Sequence, residues 1–271
     1  LLNQRASLAR QVGVSKHRDG HLVDFYRPER EAQVLQQALE RNAVARKTGA
    51  LRDEEVVRLF REIMSACLAQ QEPLKIAFLG PEGTFTQAAV LKHFGHSVRA
   101  LPLPAISEIF HEVESGVADF GVVPIENSTE GMVKATLDAL VKYDLHIYSD
   151  IVLQIRQSLL SVAADIKSIE KVYTHPQAYA QVQGYLMKNL PGVEWIETPS
   201  TSEAVRLVAQ ENSNRLAAVA SHVAGEIYGL PALVEDITDY KRNFTRFIVI
   251  GHDIARRRCA GPAGRRGSAR R

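Results

Sequence analysis

Four polar runs and one spaced set of charges carry the residue types that could do chemistry. Asn243-Phe244-Thr245-Arg246-Phe247 leads into the last strongly apolar run of the chain. There Arg246 offers a planar fork suited to a carboxylate, and Thr245 offers a hydroxyl beside it. A Thr/Arg pair facing water from an edge strand is the simpler account of the same residues. Pro124-Ile125-Glu126-Asn127-Ser128-Thr129-Glu130-Gly131 follows the apolar Val122-Val123. Ligands of open α/β sheets bind beyond the carboxyl ends of strands, where this cluster would stand. A loop in which Ser128 or Thr129 caps the next helix explains it equally simply. Gly80-Pro81-Glu82-Gly83-Thr84-Phe85-Thr86-Gln87 falls between a strand and a helix. Its glycines admit close backbone approach, and N–H groups and hydroxyls at a helix start suit a small carboxylate. No Gly-Lys-Ser/Thr ends it, so it is not a P-loop, and a tight turn with Thr84 as cap is the plain alternative. Tyr173-Thr174-His175-Pro176-Gln177-Ala178-Tyr179-Ala180-Gln181 opens another helix, and a single histidine there is more often a cap than a catalyst.

Nearer the start, Arg5 and Lys16 are eleven positions apart. On a helix they fall within about 20° of one face and ~16 Å apart along the axis, so two long cationic arms can close on one small dianion. Arg30 with Glu31, and Cys67 with Gln71 at i, i+4, would complete a polar pocket within a bundle, although each taken singly fits a solvated surface. No zinc-type Cys/His spacing, no Ser-His-Asp order and no dinucleotide fingerprint occurs. The expectation is cofactor-free, metal-free chemistry on small anions.

These residues need scaffolds, and 271 residues suggest about two domains at roughly 150 residues each. Residues 1–73 contain no convincing strand. An apolar stripe through Leu8, Val12 and Val14 gives way to a polar stretch, Lys16 to Asp24. A second helix starts at Pro28, where the missing N–H costs nothing. A third starts at Asp53, the expected N-cap, and continues through Phe60 and Leu68 to a stop at Pro73. That is too little core for independence, so the helical module should dimerise or lean on its neighbour. From Leu74 to Gly251, strand-like runs (Lys75–Leu79, Phe120–Val123, Ile147–Leu153, Lys171–Tyr173, Ala217–Ala220, Phe247–Ile250) alternate with amphipathic ones, the pattern of an α/β domain. The extended run 147–160 is placed to cross between two lobes. Residues 252–271 read as a disordered basic tail. Seven of the 33 basic and one of the 31 acidic residues lie after Ile250, which leaves the body at −4 and argues against nucleic acid as partner. No apolar run is long enough for a membrane helix, and two cysteines form no disulfide framework, so a reducing cytoplasm is the expected compartment.

Five of these segments, in order, resemble prephenate dehydratase: Gly80–Ala89, Pro124–Ser128, His175–Ala178, Ile227-Tyr228-Gly229-Leu230 and Asn243–Phe247. The upstream Phe25–Glu31 and Leu59–Met64 are similar to the all-helical class of chorismate mutase. The resemblance implies a three-helix mutase module ahead of two α/β lobes with a cleft between them, like periplasmic ligand-binding proteins. Chorismate would become prephenate in the first part and prephenate would become phenylpyruvate in the second, in a homodimer without cofactor. It further implies that Arg5 and Arg30 take carboxylates, that Lys16 and Gln71 face the ether oxygen, and that Glu31 and Cys67 complete that pocket. Arg27 stands where some relatives have an acid. In the cleft it implies Thr245 as the catalytic group, Glu126, Asn127, Ser128, Thr174 and Gln181 as binding positions, and Arg246 as support or carboxylate partner. The family's module begins earlier and the family continues into a phenylalanine-sensing domain, so feedback by phenylalanine is not expected of this chain. Rival expectations are a dehydratase whose helices only dimerise, and a two-lobed small-anion sensor without turnover.

Overall fold

The computed structural model describes residues 1–18, 26, 28–45 and 51–252. Three helices come first: α1 (Leu2–Arg18), α2 (Pro28–Ala45) and α3 (Asp53–Ala69). Helix α1 runs into the polar stretch that begins at Lys16, so it is longer than its apolar stripe. The N-cap of α3 is Arg52, not Asp53. The Arg52 N–H donates to the Glu55 carboxylate at 2.8 Å, while the Asp53 carboxylate is taken by Asn42 Nδ2 at 2.8 Å. A helix N-terminus favours both acids, and the geometry assigns the capping box to Glu55.

Two sheets follow. The first contains β1 (Lys75–Leu79), β2 (Arg99–Leu103), β3 (Phe120–Asn127), β4 (Gly131–Met132), β5 (His146–Gln154) and, from the far end of the chain, β11 (Phe244–Gly251). Its order is β2-β1-β3-β11-β5, with β4 paired to β3. Strand β11 lies antiparallel between β3 and β5, so this lobe is closed only when the last strand arrives. The second contains β6 (Ser158–Leu160), β7 (Lys171–Thr174), β8 (Glu194–Glu197), β9 (Leu216–Ala220) and β10 (Ala232–Val234), in the order β10-β6-β9-β7-β8. Helices α4 (Phe85–Phe94), α5 (Ile106–Glu114) and α6 (Lys134–Lys142) cover the first sheet. Helices α7 (Pro176–Asn189), α8 (Thr201–Glu211) and α9 (His222–Tyr228) belong to the second.

Each sheet is buried on both faces, and the strand period sorts its residues between them. Ile76, Phe78, Val122, Phe247 and Val249 enter one core, whereas Ala77, Val123, Ile248 and Ile250 enter the opposite one. In the second lobe Ala217 and Val219 face one side and Leu216, Ala218 and Ala220 the other. The chain crosses between lobes at 155–157, as the extended run suggested, and returns through 235–243. The two crossings pair, with Ile155 N–H donating to the Asn243 carbonyl at 2.8 Å. Asp239 fastens the return to α7: its carboxylate accepts from the N–H groups of Gly184 and Tyr185, at 2.7 and 2.8 Å. The tail 253–271 and Arg27 lie outside the described residues. Among the described residues no helix is long and apolar enough to cross a membrane.

Candidate active sites

Pairing of β3 with β11 sets Asn127 opposite Thr245, two residues far apart in sequence. Cross-strand partners share a sheet face, and here Asn127 Nδ2 donates to Thr245 Oγ1 at 2.7 Å. The other end of the amide is committed. Asn127 Oδ1 accepts from Thr129 N–H at 2.9 Å, Thr129 O–H at 2.5 Å and Glu130 N–H at 3.3 Å. An oxygen with three donors fixes which way the amide points, so the NH2 group is the one offered to Thr245. Thr245 is 7% exposed, and its own proton finds no acceptor among the described residues. Ser128 holds the same turn against β11: its hydroxyl accepts from Phe244 N–H at 2.9 Å and donates to the Arg242 carbonyl at 3.3 Å.

Two of the expected binding residues are elsewhere. Glu126 and Arg246 pair with each other in the register, one position along from Asn127 and Thr245, and strand alternation turns them to the opposite face. Arg246 is half exposed there, with Glu126 at 4.0 Å and Asp150 at 3.8 Å. Both carboxylates are at ion-pair rather than hydrogen-bond distance, on the face of the sheet opposite Thr245. Thr174 is fully buried at the end of β7, where its hydroxyl donates to the Val219 carbonyl at 2.8 Å, a bond between strands rather than toward the cleft. Gln181 accepts from Gln157 Nε2 at 3.0 Å and so belongs to the inter-lobe crossing. His175 is a helix cap, accepting from Gln177 N–H at 3.3 Å.

At the junction Ser221, Ser202 and Gln157, which were not singled out from sequence, join residues of the four polar runs. Ser221, the N-cap of α9, donates to the Gly83 carbonyl in the other lobe at 2.9 Å. Gln177 donates to Glu130 across the same gap. Ser202 Oγ, Asn243 Nδ2 and Gln157 Oε1 are buried without a partner among the described residues. The usable signal was position: Ser221 follows the buried strand β9 as Ser128 follows β3. Gly83 has φ +81°, and a Cβ there would stand 3.1 Å from Ala224 and 3.2 Å from Ser202 Oγ. The starts of α4, α8 and α9 therefore meet at one glycine. Gly83→Ala is expected to cost about 1–2 kcal/mol from the left-handed backbone alone. A lowered urea midpoint with an unchanged m-value checks it.

The helical module borders a half-open cavity of about 650 Å³. Arg5, Arg30, Glu31 and Cys67 line it from three helices, brought together by the 3.6-residue period. Gln71 lines it from the turn after α3, which ends at Ala69, so Cys67 and Gln71 do not share the helix as the i, i+4 spacing suggested. The side chain of Lys16 lies outside the described residues. Gln71 Oε1 is buried without a partner among the described residues. Gly13 lets α1 close on Gln71, since a Cβ there would sit 3.2 Å from its Cα, Cβ and Cγ. Glu31 is held from two sides, by Arg61 Nε at 3.3 Å and by the Tyr26 hydroxyl. Burial, and then the Glu31 carboxylate, push the Tyr26 phenol far above its ordinary value, so it stays a donor. Burial pushes His93, near Arg61, down to about 4, so the imidazole is neutral at pH 7.

Two family models match the chain in succession: chorismate mutase type II over residues 1–72, and prephenate dehydratase over 76–255. The bifunctional chorismate mutase/prephenate dehydratase of Stutzerimonas stutzeri is 45% identical over 256 residues, which span 93% of this chain and 68% of that protein. The protein of the same name from Neisseria gonorrhoeae is 46% identical over 253 residues, 93% of this chain and 67% of its own. The chain thus spans about two thirds of the length of these curated relatives. The solved prephenate dehydratase of Staphylococcus aureus superposes with a TM-score of 0.57 at 31% identity, covering 67% of this chain and 68% of its own.

Proposed function

The chain belongs to the bifunctional chorismate mutase/prephenate dehydratase family, and from that premise we propose how its residues divide two successive reactions. In the helical cavity chorismate rearranges to prephenate. This pericyclic step needs neither nucleophile nor acid, only a compactly folded dianion and stabilisation of charge growing on the ether oxygen. Arg5 and Arg30 take the carboxylates, and Gln71 and Lys16 face the ether oxygen. Glu31, already fixed by Arg61 and Tyr26, receives a substrate hydroxyl, and Cys67 fills the wall. The convergence of five of these residues on one cavity supports the assignment. Arg5→Ala is expected to lower kcat/KM for chorismate about ten- to a hundredfold, the equivalent of one charged hydrogen bond of roughly 1.5–3 kcal/mol. Turnover of supplied prephenate by the same variant should be unchanged.

In the inter-lobe cleft prephenate loses carbon dioxide and its ring hydroxyl and becomes phenylpyruvate. The electron pair of the breaking C–C bond enters the ring, hydroxide leaves as water once a proton reaches it, and the ring gains aromaticity. The balance requires no oxidant, metal or coenzyme. Thr245 donates to the departing hydroxyl, and the observation that carries this role is a hydroxyl oriented by Asn127 with its own proton uncommitted among the described residues. A threonine is a weak acid, so it orients and donates within a network rather than acting alone. With Arg246 on the outer face, the substrate carboxylates fall to neutral donors and to the helix starts that meet at Gly83. The exposed apolar side chains of α1, Leu2, Leu8 and Val14 among them, favour a homodimer, and the fitting compartment is the cytoplasm. The test is direct: supply prephenate and follow phenylpyruvate absorbance in alkali, then supply chorismate. Product from both is expected. Product from prephenate alone leaves the helices as a dimerisation device, and binding of both without product overturns the enzyme.

A further inference from the structure

The cavity of the helical module is not made by helices alone. Leu74, Phe94, Ser97 and Val98 also line it, and all four belong to the α/β part of the chain. The turn that presents Phe94, Ser97 and Val98 is fastened to α3 by several bonds. Arg61 Nη1 donates to the Lys92 carbonyl at 2.8 Å, His96 N–H donates to Glu62 at 3.2 Å, and Ser97 N–H donates to Ser65 Oγ at 3.3 Å. Gly95 makes the approach possible: its φ is +78°, and a Cβ there would lie 2.6 Å from the Cβ of Ser65. Tyr26 completes the seam, with its ring 5.7 Å from that of Phe94 and edge-on to Phe120 at 5.4 Å.

We infer that the chorismate mutase pocket is composite: the turn 93–98 of the dehydratase domain forms one of its walls, with Ser97 as a specificity-determining residue for the dianion. A pericyclic step is accelerated by holding a strained conformer in a fitted space, so this wall helps to set how compactly the substrate folds. The end of α4 that leads into this turn also governs Glu31, because the arginine that holds Glu31 is tied to the Lys92 carbonyl. Helix α4 separates the two chemistries. Its ten residues span about 15 Å, with its start at the Gly83 junction of the lobes and its end at the mutase pocket. A change at Ser97 therefore leaves the Thr245 site intact.

This inference rests on reading the helical module as a mutase, and the test separates the two. In the full chain, Ser97 is changed to Ala, Val and Phe, and chorismate KM and kcat are measured beside turnover of supplied prephenate. The Ser97 contact to Ser65 is made by the backbone, so every variant keeps it. Chorismate KM is expected to rise with side-chain volume, at least tenfold for S97F and only slightly for S97A, with prephenate kinetics within twofold of the parent. If S97F fails to fold, S97V carries the comparison. A chorismate KM indifferent to volume, or prephenate turnover falling in step with it, overturns the composite wall. Failure of the unaltered chain to consume chorismate overturns the mutase reading and this inference with it.

Discussion

Replacing Thr245 by alanine is expected to lower kcat for phenylpyruvate formation by about 10²–10⁴-fold, the range a positioned proton donor contributes. KM for prephenate should change little. The hydroxyl gains its partner only as the C–O bond breaks, and an interaction made in the transition state appears in kcat rather than in KM. Two further substitutions sharpen the result. Thr245→Ser keeps an Oγ within reach of Asn127 Nδ2 and should retain most activity. Thr245→Val keeps the shape, removes the hydroxyl and strands a partly buried amide donor, so it should be as poor as alanine. Conversion of chorismate is the internal control, since the helical cavity shares no lining residue with this strand. A Thr245→Ala protein that forms phenylpyruvate at a near-parental rate would remove the donor from the mechanism.

The parts of this arrangement differ in how far local sequence could reveal them, and the difference has physical causes. The pocket was readable in part, because the helical period decides which side chains of a helix share a face. Arg5, Arg30, Glu31 and Cys67 needed only three helices to pack, whereas Gln71 reaches the cavity from the turn after α3 and Phe94, Ser97 and Val98 reach it from the α/β part. Strand β1 was readable as a short apolar run and the Thr84 cap as a hydroxyl before a helix, which accepts from Gln87 N–H at 3.4 Å. The face of Arg246 was not. Phe247-Ile248-Val249-Ile250 is buried on both sides of the sheet, and a run apolar throughout erases the alternation that would say which way Thr245 and Arg246 point. Thr174 misled for a related reason, because its place at a strand end suits a ligand contact or a bond to the neighbouring strand equally well, and only the position of β9 decides. Least readable were features that depend on docking. The meeting of Gly83 with Ser202 and Ser221, and of Gly95 with Ser65, joins segments whose own periodicity contains no trace of the partner.

Asn127→Asp is expected to cost about 10²–10³-fold in phenylpyruvate formation, within the range that a positioned proton donor contributes, because it turns the Thr245 hydroxyl away from the substrate. The substitution is nearly isosteric, and Thr129 N–H, Thr129 O–H and Glu130 N–H can all still donate to a carboxylate oxygen, so the turn and the thermal midpoint should survive. What inverts is the contact with Thr245. A carboxylate has no proton to offer, so the threonine must donate its own to residue 127, which aims the hydroxyl away from the substrate. A negative charge also now faces a dianionic substrate that is expelling hydroxide, and in a buried site that repulsion is weakly screened. Asn127→Ala removes the donor without adding the charge or capturing the proton, so it should be clearly more active than Asn127→Asp although it deletes more atoms. Acid provides a second check with a definite sign: as pH falls through the aspartate's pKa, about 3.9 when unperturbed, the protonated acid becomes a donor again and activity relative to the parent should rise. If Asn127→Asp outperforms Asn127→Ala at neutral pH, the amide does not orient the hydroxyl, and Thr245 must take its alignment from the substrate itself.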